Sequence, residues 1–125
     1  MILFNENIVG LLNECFAKGE EYVESLLLAC YGFTIQFVNL EIHCNERVFA
    51  SINGARYEWD DAPNPGPWGS LGRQLAKKAV LKSPSLLSIT FASGDSVEIE
   101  TVEGPYESVI LKFPSQADHI AMEVF

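Results

Sequence analysis

Residues 87–100 read LSITFASGDSVEIE, and this stretch decides the fold. Leu87, Ile89 and Phe91 share one face of an extended chain, with Ser88 and Thr90 on the other. After a break, Val97, Ile99 and Thr101 alternate with Ser96, Glu98 and Glu100. A period of two is the signature of a half-buried strand. Ser93-Gly94-Asp95 between the two runs is a hairpin turn, since glycine takes positive φ without a Cβ clash. The same pattern stands earlier in the chain, as FTIQFVN at 33–39 and LEIHCNERVFASI at 40–52. Side by side, Phe33, Ile35 and Phe37 meet Leu87, Ile89 and Phe91. After the insertion Gly94-Asp95-Ser96, Leu40, Glu41 and Ile42 meet Val97, Glu98 and Ile99. Further on, Glu46, Phe49 and Ser51 meet Glu103, Tyr106 and Ser108.

Two copies are too few for a solenoid. Two β-meanders facing one another make a sandwich instead, or a partly open barrel. The expected fold class is therefore mainly β (β-rich α+β), built from two pseudo-repeated antiparallel meanders with one or two short helices. The 125 residues are expected to form one domain. Its first pseudo-repeat covers about 8–59 and its second about 70–113, with a Pro-rich connector at 60–69 and a C-terminal strand or tail at 114–125. Asn53-Gly54 is a strong hairpin dipeptide and joins the strand ending near Ile52 to a short one around Arg56–Trp59. Ile8, Leu11, Leu12 and Cys15 have helical spacing, and Gly19 is placed to end a helix. The counterpart in the second copy contains Ala79-Val80-Leu81, which reads as strand. This limits the expectation to short helical turns in each copy, with Ser70–Leu75 the candidate in the second. The run WDDAPNPGPWG at 59–69 reads as irregular.

The chain carries 17 acidic and 8 basic side chains, a net charge of −9. That disfavours direct contact with nucleic acid, which needs clustered Lys and Arg, and equally an anionic membrane surface. It favours a basic partner; the plain alternative is that acidity serves solubility. Cys15, Cys30 and Cys44 are odd in number and lack CxxC spacing, as expected of reduced thiols in the cytoplasm. The opening MILFNENIVG has no basic region before its apolar stretch, so it does not read as a secretory signal. The longest apolar run, from Leu26 towards Phe33, is too short to span a bilayer.

No catalytic residue is assigned. His43 and His119 are far apart in sequence, and no nucleophile elbow is present. His43 adjoins Cys44, but neighbours on a strand point to opposite faces. No metal or other cofactor is expected: the acids at 95, 98, 100, 103 and 107 lack the spacing of a calcium loop, and no Cys/His set suits zinc. Glu98 and Glu100 share a strand face at about 7 Å, yet nothing separates their pKa values as acid–base catalysis requires.

Charge is uneven along the chain. Asp95 to Glu107 holds five acids and no base. Ala62 to Gly94 holds no acid but contains Arg73, Lys77, Lys78 and Lys82. An acidic hairpin beside aromatic residues is a recipe for a protein interface. The stretches LEIHCNERVFASINGARYEWDDAPNPGPWG at 40–69 and SGDSVEIETVEGPYESVIL at 93–111 resemble small bacterial immunity proteins of polymorphic toxin and contact-dependent growth inhibition systems. The shared elements are a strand–turn–strand with Gly-Asp at the turn and an acidic strand leading to Tyr-Glu-Ser.

The resemblance implies a cytoplasmic protein that neutralises a cognate toxin domain, with a basic nuclease as the fitting target. On this reading the partner is met by Glu41, Glu98, Glu100, Glu103 and Glu107. Tyr106, Trp59 and Trp68 act as anchors, and Asp60 and Asp61 lie in the loop between the tryptophans. Reversing the charge of Glu98 and Glu100 is expected to weaken capture and leave the fold intact. The rival is a small-ligand module or enzyme with a pocket between the two repeats, lined by His43, Trp59 and Glu41. A third possibility is a dimerising accessory domain that uses exposed edge strands. The sequence leaves the oligomeric state open.

Overall fold

A computed structural model describes residues 4–29, 32–59, 67–102, 109–113 and 122–125. Among these residues ten strands follow one α-helix: α1 (Glu6–Ala17), β1 (Val23–Ala29), β2 (Gly32–Phe37), β3 (Glu41–Cys44), β4 (Val48–Ile52), β5 (Ala55–Trp59), β6 (Ala76–Ser83), β7 (Leu86–Phe91), β8 (Ser96–Glu100), β9 (Val109–Lys112) and β10 (Met122–Val124). They form two five-stranded antiparallel sheets, ordered β1-β2-β3-β9-β10 and β5-β4-β8-β7-β6. The protein is thus mainly β, two open sheets around one core with no closed barrel.

The two strand orders correspond. β1, β2 and β3 form a meander in the first sheet, and β6, β7 and β8 form one in the second. Each meander is extended by a hairpin from the other half of the chain: β9-β10 joins β3, and β4-β5 joins β8. The registers adjust the sequence alignment. Ile42 pairs with Leu111, and Ile99 pairs with Val48, so Leu111 takes the place of Val48. Glu103, Tyr106 and Ser108, aligned with Glu46, Phe49 and Ser51, lie outside the described residues. Where β1 and β6 begin, a bridge between Tyr22 and Leu75 joins the two sheets.

The alternation read from sequence is the burial pattern. Phe33, Ile35, Phe37, Leu87, Ile89, Phe91, Val97 and Ile99 are buried. Phe37 stacks on Phe91 between the sheets, with ring centroids 6.4 Å apart. Asn53 and Gly54 both take positive φ (53° and 82°), as the β4–β5 turn requires. Gly94, at φ 96°, turns β7 into β8.

Three expectations need correction. The N-terminal segment is not a turn or two of helix but a 12-residue α-helix. Its cap is Asn5, whose side chain accepts from the Ile8 N–H at 3.1 Å. Its stripe of Ile8, Val9, Leu12, Cys15 and Phe16 is buried, with the Phe16 ring 5.9 Å from Phe37. Packing of this stripe against β6 and Phe37 stabilises it. In the second half, the helical turn is a 3-10 helix at Pro67–Leu71, earlier than Ser70–Leu75. Its first three residues also fall in the segment read as irregular; proline suits the first turn of a helix, where the N–H it lacks would have no intrahelical partner.

Candidate binding surfaces

Glu98 and Glu100 project from β8 onto the outer face of the second sheet, but the face is not an anionic patch. Arg56 Nη1 donates to Glu98 Oε1 at 2.7 Å, and Lys82 Nζ lies 2.8 Å from Oε2. The Glu98 side chain is only 6% exposed. Arg47 holds Glu100 in a fork of two hydrogen bonds at 3.1 and 3.0 Å and lies 3.8 Å from Glu58. The guanidinium groups of Arg56 and Arg47 lie 4.5 and 5.6 Å from the centre of the Phe49 ring, so Phe49 is a cation–π platform for both.

At β8 the charge separation seen along the chain is bridged on folding. Lys82, from the basic segment, reaches across β7 to β8, and Arg47 and Arg56 arrive from the β4–β5 hairpin. Burial alone raises the pKa of Glu98. The hydrogen bonds and charges of Lys82 and Arg56 more than offset this and hold it below the ordinary carboxyl value. Reversing Glu98 would place a third cation beside two, so that substitution tests the fold rather than an interface.

The two tryptophans are core residues. Trp59 is 0% and Trp68 3% exposed, and their rings pack 5.9 and 5.7 Å from Phe33. Neither presents a ring to a partner: Trp59 ends β5 with its side chain turned inward, and the 3-10 helix carries Trp68 beneath the surface. Glu41 is on the outer face of the first sheet, 3.3 Å from Lys112. Asp60, Asp61, Glu103, Tyr106 and Glu107 lie outside the described residues.

Among the described residues the side chains of the rival cleft do not converge: Trp59 points into the core, while Glu41 and His43 occupy the outer face of the first sheet. His43 Nδ1 is 2.8 Å from Thr34 Oγ1, and Nε2 is 3.0 Å from Asn45 Oδ1. The ring lies against Gly32, where a Cβ would come within 2.7 Å of His43 Cε1. Cys44 faces the other way. Burial, helped by the nearby Glu46 and Glu100 carboxylates, pushes its thiol up to about 12, too high for a nucleophile at neutral pH. Among the described residues no group of three or more His, Cys, Asp or Glu side chains is placed to hold a metal, and no helix is long and apolar enough to cross a membrane.

One surface was missed in the sequence. Tyr22, Val23, Glu24, Val38 and Arg73 line an open groove of about 490 Å³ where β1 begins. Tyr22 and Val38 are 45% and 43% exposed, and Glu20 and Glu24 are exposed beside them. The groove is held from beneath by Glu21. This carboxylate is 1% exposed and accepts from the Asn39 N–H at 2.8 Å and from its side-chain amide at 2.7 Å. Arg73, which has a positive φ of 68°, donates its N–H to the Val23 carbonyl at 2.7 Å. The available signal was the acidic cluster EEYVE at 20–24, whose Tyr breaks the apolar alternation. Comparison with known protein families, with curated proteins and with solved structures finds no match.

Proposed function

We propose that the chain acts by binding a protein. Its partner is a basic toxin domain, in the manner of the immunity proteins that its sequence resembles. The observation that carries the reading is the groove at the start of β1, where exposed Tyr22 and Val38 sit with Glu24 and Arg73, and exposed Glu20 adjoins the rim. An exposed aromatic and aliphatic pair in a depression is the kind of anchor that dominates binding energy. Surrounding carboxylates add steering and selectivity more than affinity.

The charge balance points the same way. The acids of β8 are matched by Arg47, Arg56 and Lys82, so the net charge of −9 is carried elsewhere. Exposed Glu6, Glu14, Glu20 and Glu24 all belong to the first 24 residues, where Lys18 is the one base. A nuclease presents cationic groups where it holds phosphate. An acidic protein seated there excludes the substrate.

The test is co-expression with the toxin domain encoded by a neighbouring gene, scored by growth and by affinity across a salt series. Protection is expected, with binding that weakens as salt rises. Tyr22→Ala should lower affinity by about tenfold or more, and Glu24→Lys should slow association. Binding that ignores both substitutions would remove the groove from the interface, and absence of protection would overturn the toxin reading.

A further inference from the structure

We infer that β1 is a self-pairing edge, through which two copies of this chain join their first sheets. The inference is independent of the toxin reading. Two open sheets have four edges, and three of them are guarded. Along β6, the Asn13 side chain from α1 donates to the Ala79 carbonyl at 3.0 Å and accepts from the Ala79 N–H at 2.8 Å, and exposed Lys77 and Lys78 stand alongside. β5 carries Arg56 and Glu58. β10 has three residues. Blocked backbone, charge and shortness are the devices by which edge strands avoid pairing.

Among the described residues, β1 has none of them beyond its first two residues. Its start is covered, since the Val23 N–H donates to the Gln74 carbonyl at 2.9 Å and Ala76 donates to Glu21 at 3.0 Å. From Ser25 to Ala29 it reads SLLLA, with no charge and no proline. Leu27 is 60% exposed, the most of the exposed large apolar side chains among the described residues. In an edge strand every second residue turns its N–H and C=O away from its neighbour, so the open side is a ready ladder.

The stretch fits itself. With Leu27 on a two-fold axis opposite Leu27 of the second copy, Leu26 meets Leu28 and Ser25 meets Ala29, in both directions, as an isologous contact requires. Leu26 and Leu28 pair within the sheet with Ile35 and Phe33 and are half-buried against the core. The join would therefore continue the inner face, while the two Leu27 side chains meet on the outer one. Charge selects the same occupant. Glu24 falls outside the paired stretch, and the two copies of it stand about 20 Å apart by strand rise. That exceeds the screening length at physiological salt, so two acidic chains meet here without opposed carboxylates. A basic strand would find no carboxylate between Ser25 and Ala29.

Five residues of edge make a small interface, so the expected state is a reversible monomer–dimer equilibrium with a Kd in about the micromolar range or weaker. The experiment is sedimentation equilibrium of the full chain over a concentration series at about 0.15 and 1 M salt. Dimerisation is expected to change little between the two salts, because no carboxylates oppose one another across the join, whereas capture of a basic toxin weakens. Leu27→Lys, at an exposed site, should abolish it and keep the circular dichroism spectrum. In a Cys30→Ser background, Leu27→Cys should form a disulfide dimer under mild oxidation, whereas Leu26→Cys, whose partner is Leu28, should not. A monomer up to about 1 mM, or a dimer that survives Leu27→Lys, overturns the inference. So does a monomer whose Leu27→Cys thiol is shielded only by bound toxin, which would give the edge to the partner instead.

Discussion

Glu98→Gln removes one negative charge from beneath two cations and leaves the shape of the side chain unchanged. A hydrogen bond to a charged group contributes about 1.5–3 kcal/mol when its partners are buried. Here the carboxylate is 6% exposed, but the Arg56 and Lys82 side chains are 58% and 56% exposed. Both cations regain water in the variant, which reduces each contact towards the value of a surface pair, below about 1 kcal/mol. The expected loss is about 1–2 kcal/mol, read as a lower urea midpoint at unchanged slope and a Tm lower by roughly 5 °C.

The pH dependence sharpens the prediction. The folded-state pKa of Glu98 is depressed, so its stabilisation is full above the unfolded carboxyl value. It is lost as pH falls through the folded value. The gap between wild type and Glu98→Gln should therefore be constant from about pH 5 to 8 and close in acid. A variant within about 0.3 kcal/mol of wild type at neutral pH, or a gap that persists unchanged into strong acid, refutes the reasoning.

Asn13→Ala should cost about 1–3 kcal/mol, because both backbone groups of Ala79 lose their partner. It should also open the β6 edge, seen as concentration-dependent light scattering on mild heating. Gly32→Ala should destabilise by pressing a Cβ on the His43 ring. Adding His43→Ala should recover much of the loss, giving a coupling of about 1 kcal/mol in a double-mutant cycle by urea titration.

The core of the fold is legible because period-two burial is a local property: Phe33, Ile35 and Phe37 alternate in the sequence as they do in the sheet. The turns at Asn53-Gly54 and Gly94 are legible for the same reason, since φ is set within the turn. The helix is less so. Its apolar spacing is visible, but its length depends on packing across β6, and the comparison with the second half argued against it. The surface is least legible. Glu98 looks free when charge is counted along the chain, whereas Arg56 sits 42 residues away and meets it only through the pairing of β5, β4 and β8. Trp59 and Trp68 flank a Pro-rich run and so look exposed, yet one ends a strand and the other sits in a 3-10 turn, both facing the core.

The placement of β4-β5 beside β8, and of β9-β10 beside β3, bears on how the chain acquires its structure during synthesis. The first 59 residues can form the β1-β2-β3 meander, but their last hairpin has no strand to lean on until β8 has been made. That meander in turn gains its remaining two strands only when β9 and β10 emerge. The contacts that complete each sheet are therefore long-range, and folding is expected to be slow and cooperative, without a stable N-terminal intermediate. A chain cut between β5 and β6 should yield two fragments, each unable to finish a sheet and each a template for the other. Mixed together they should rebuild the parent structure, which makes the protein a natural two-part complementation pair.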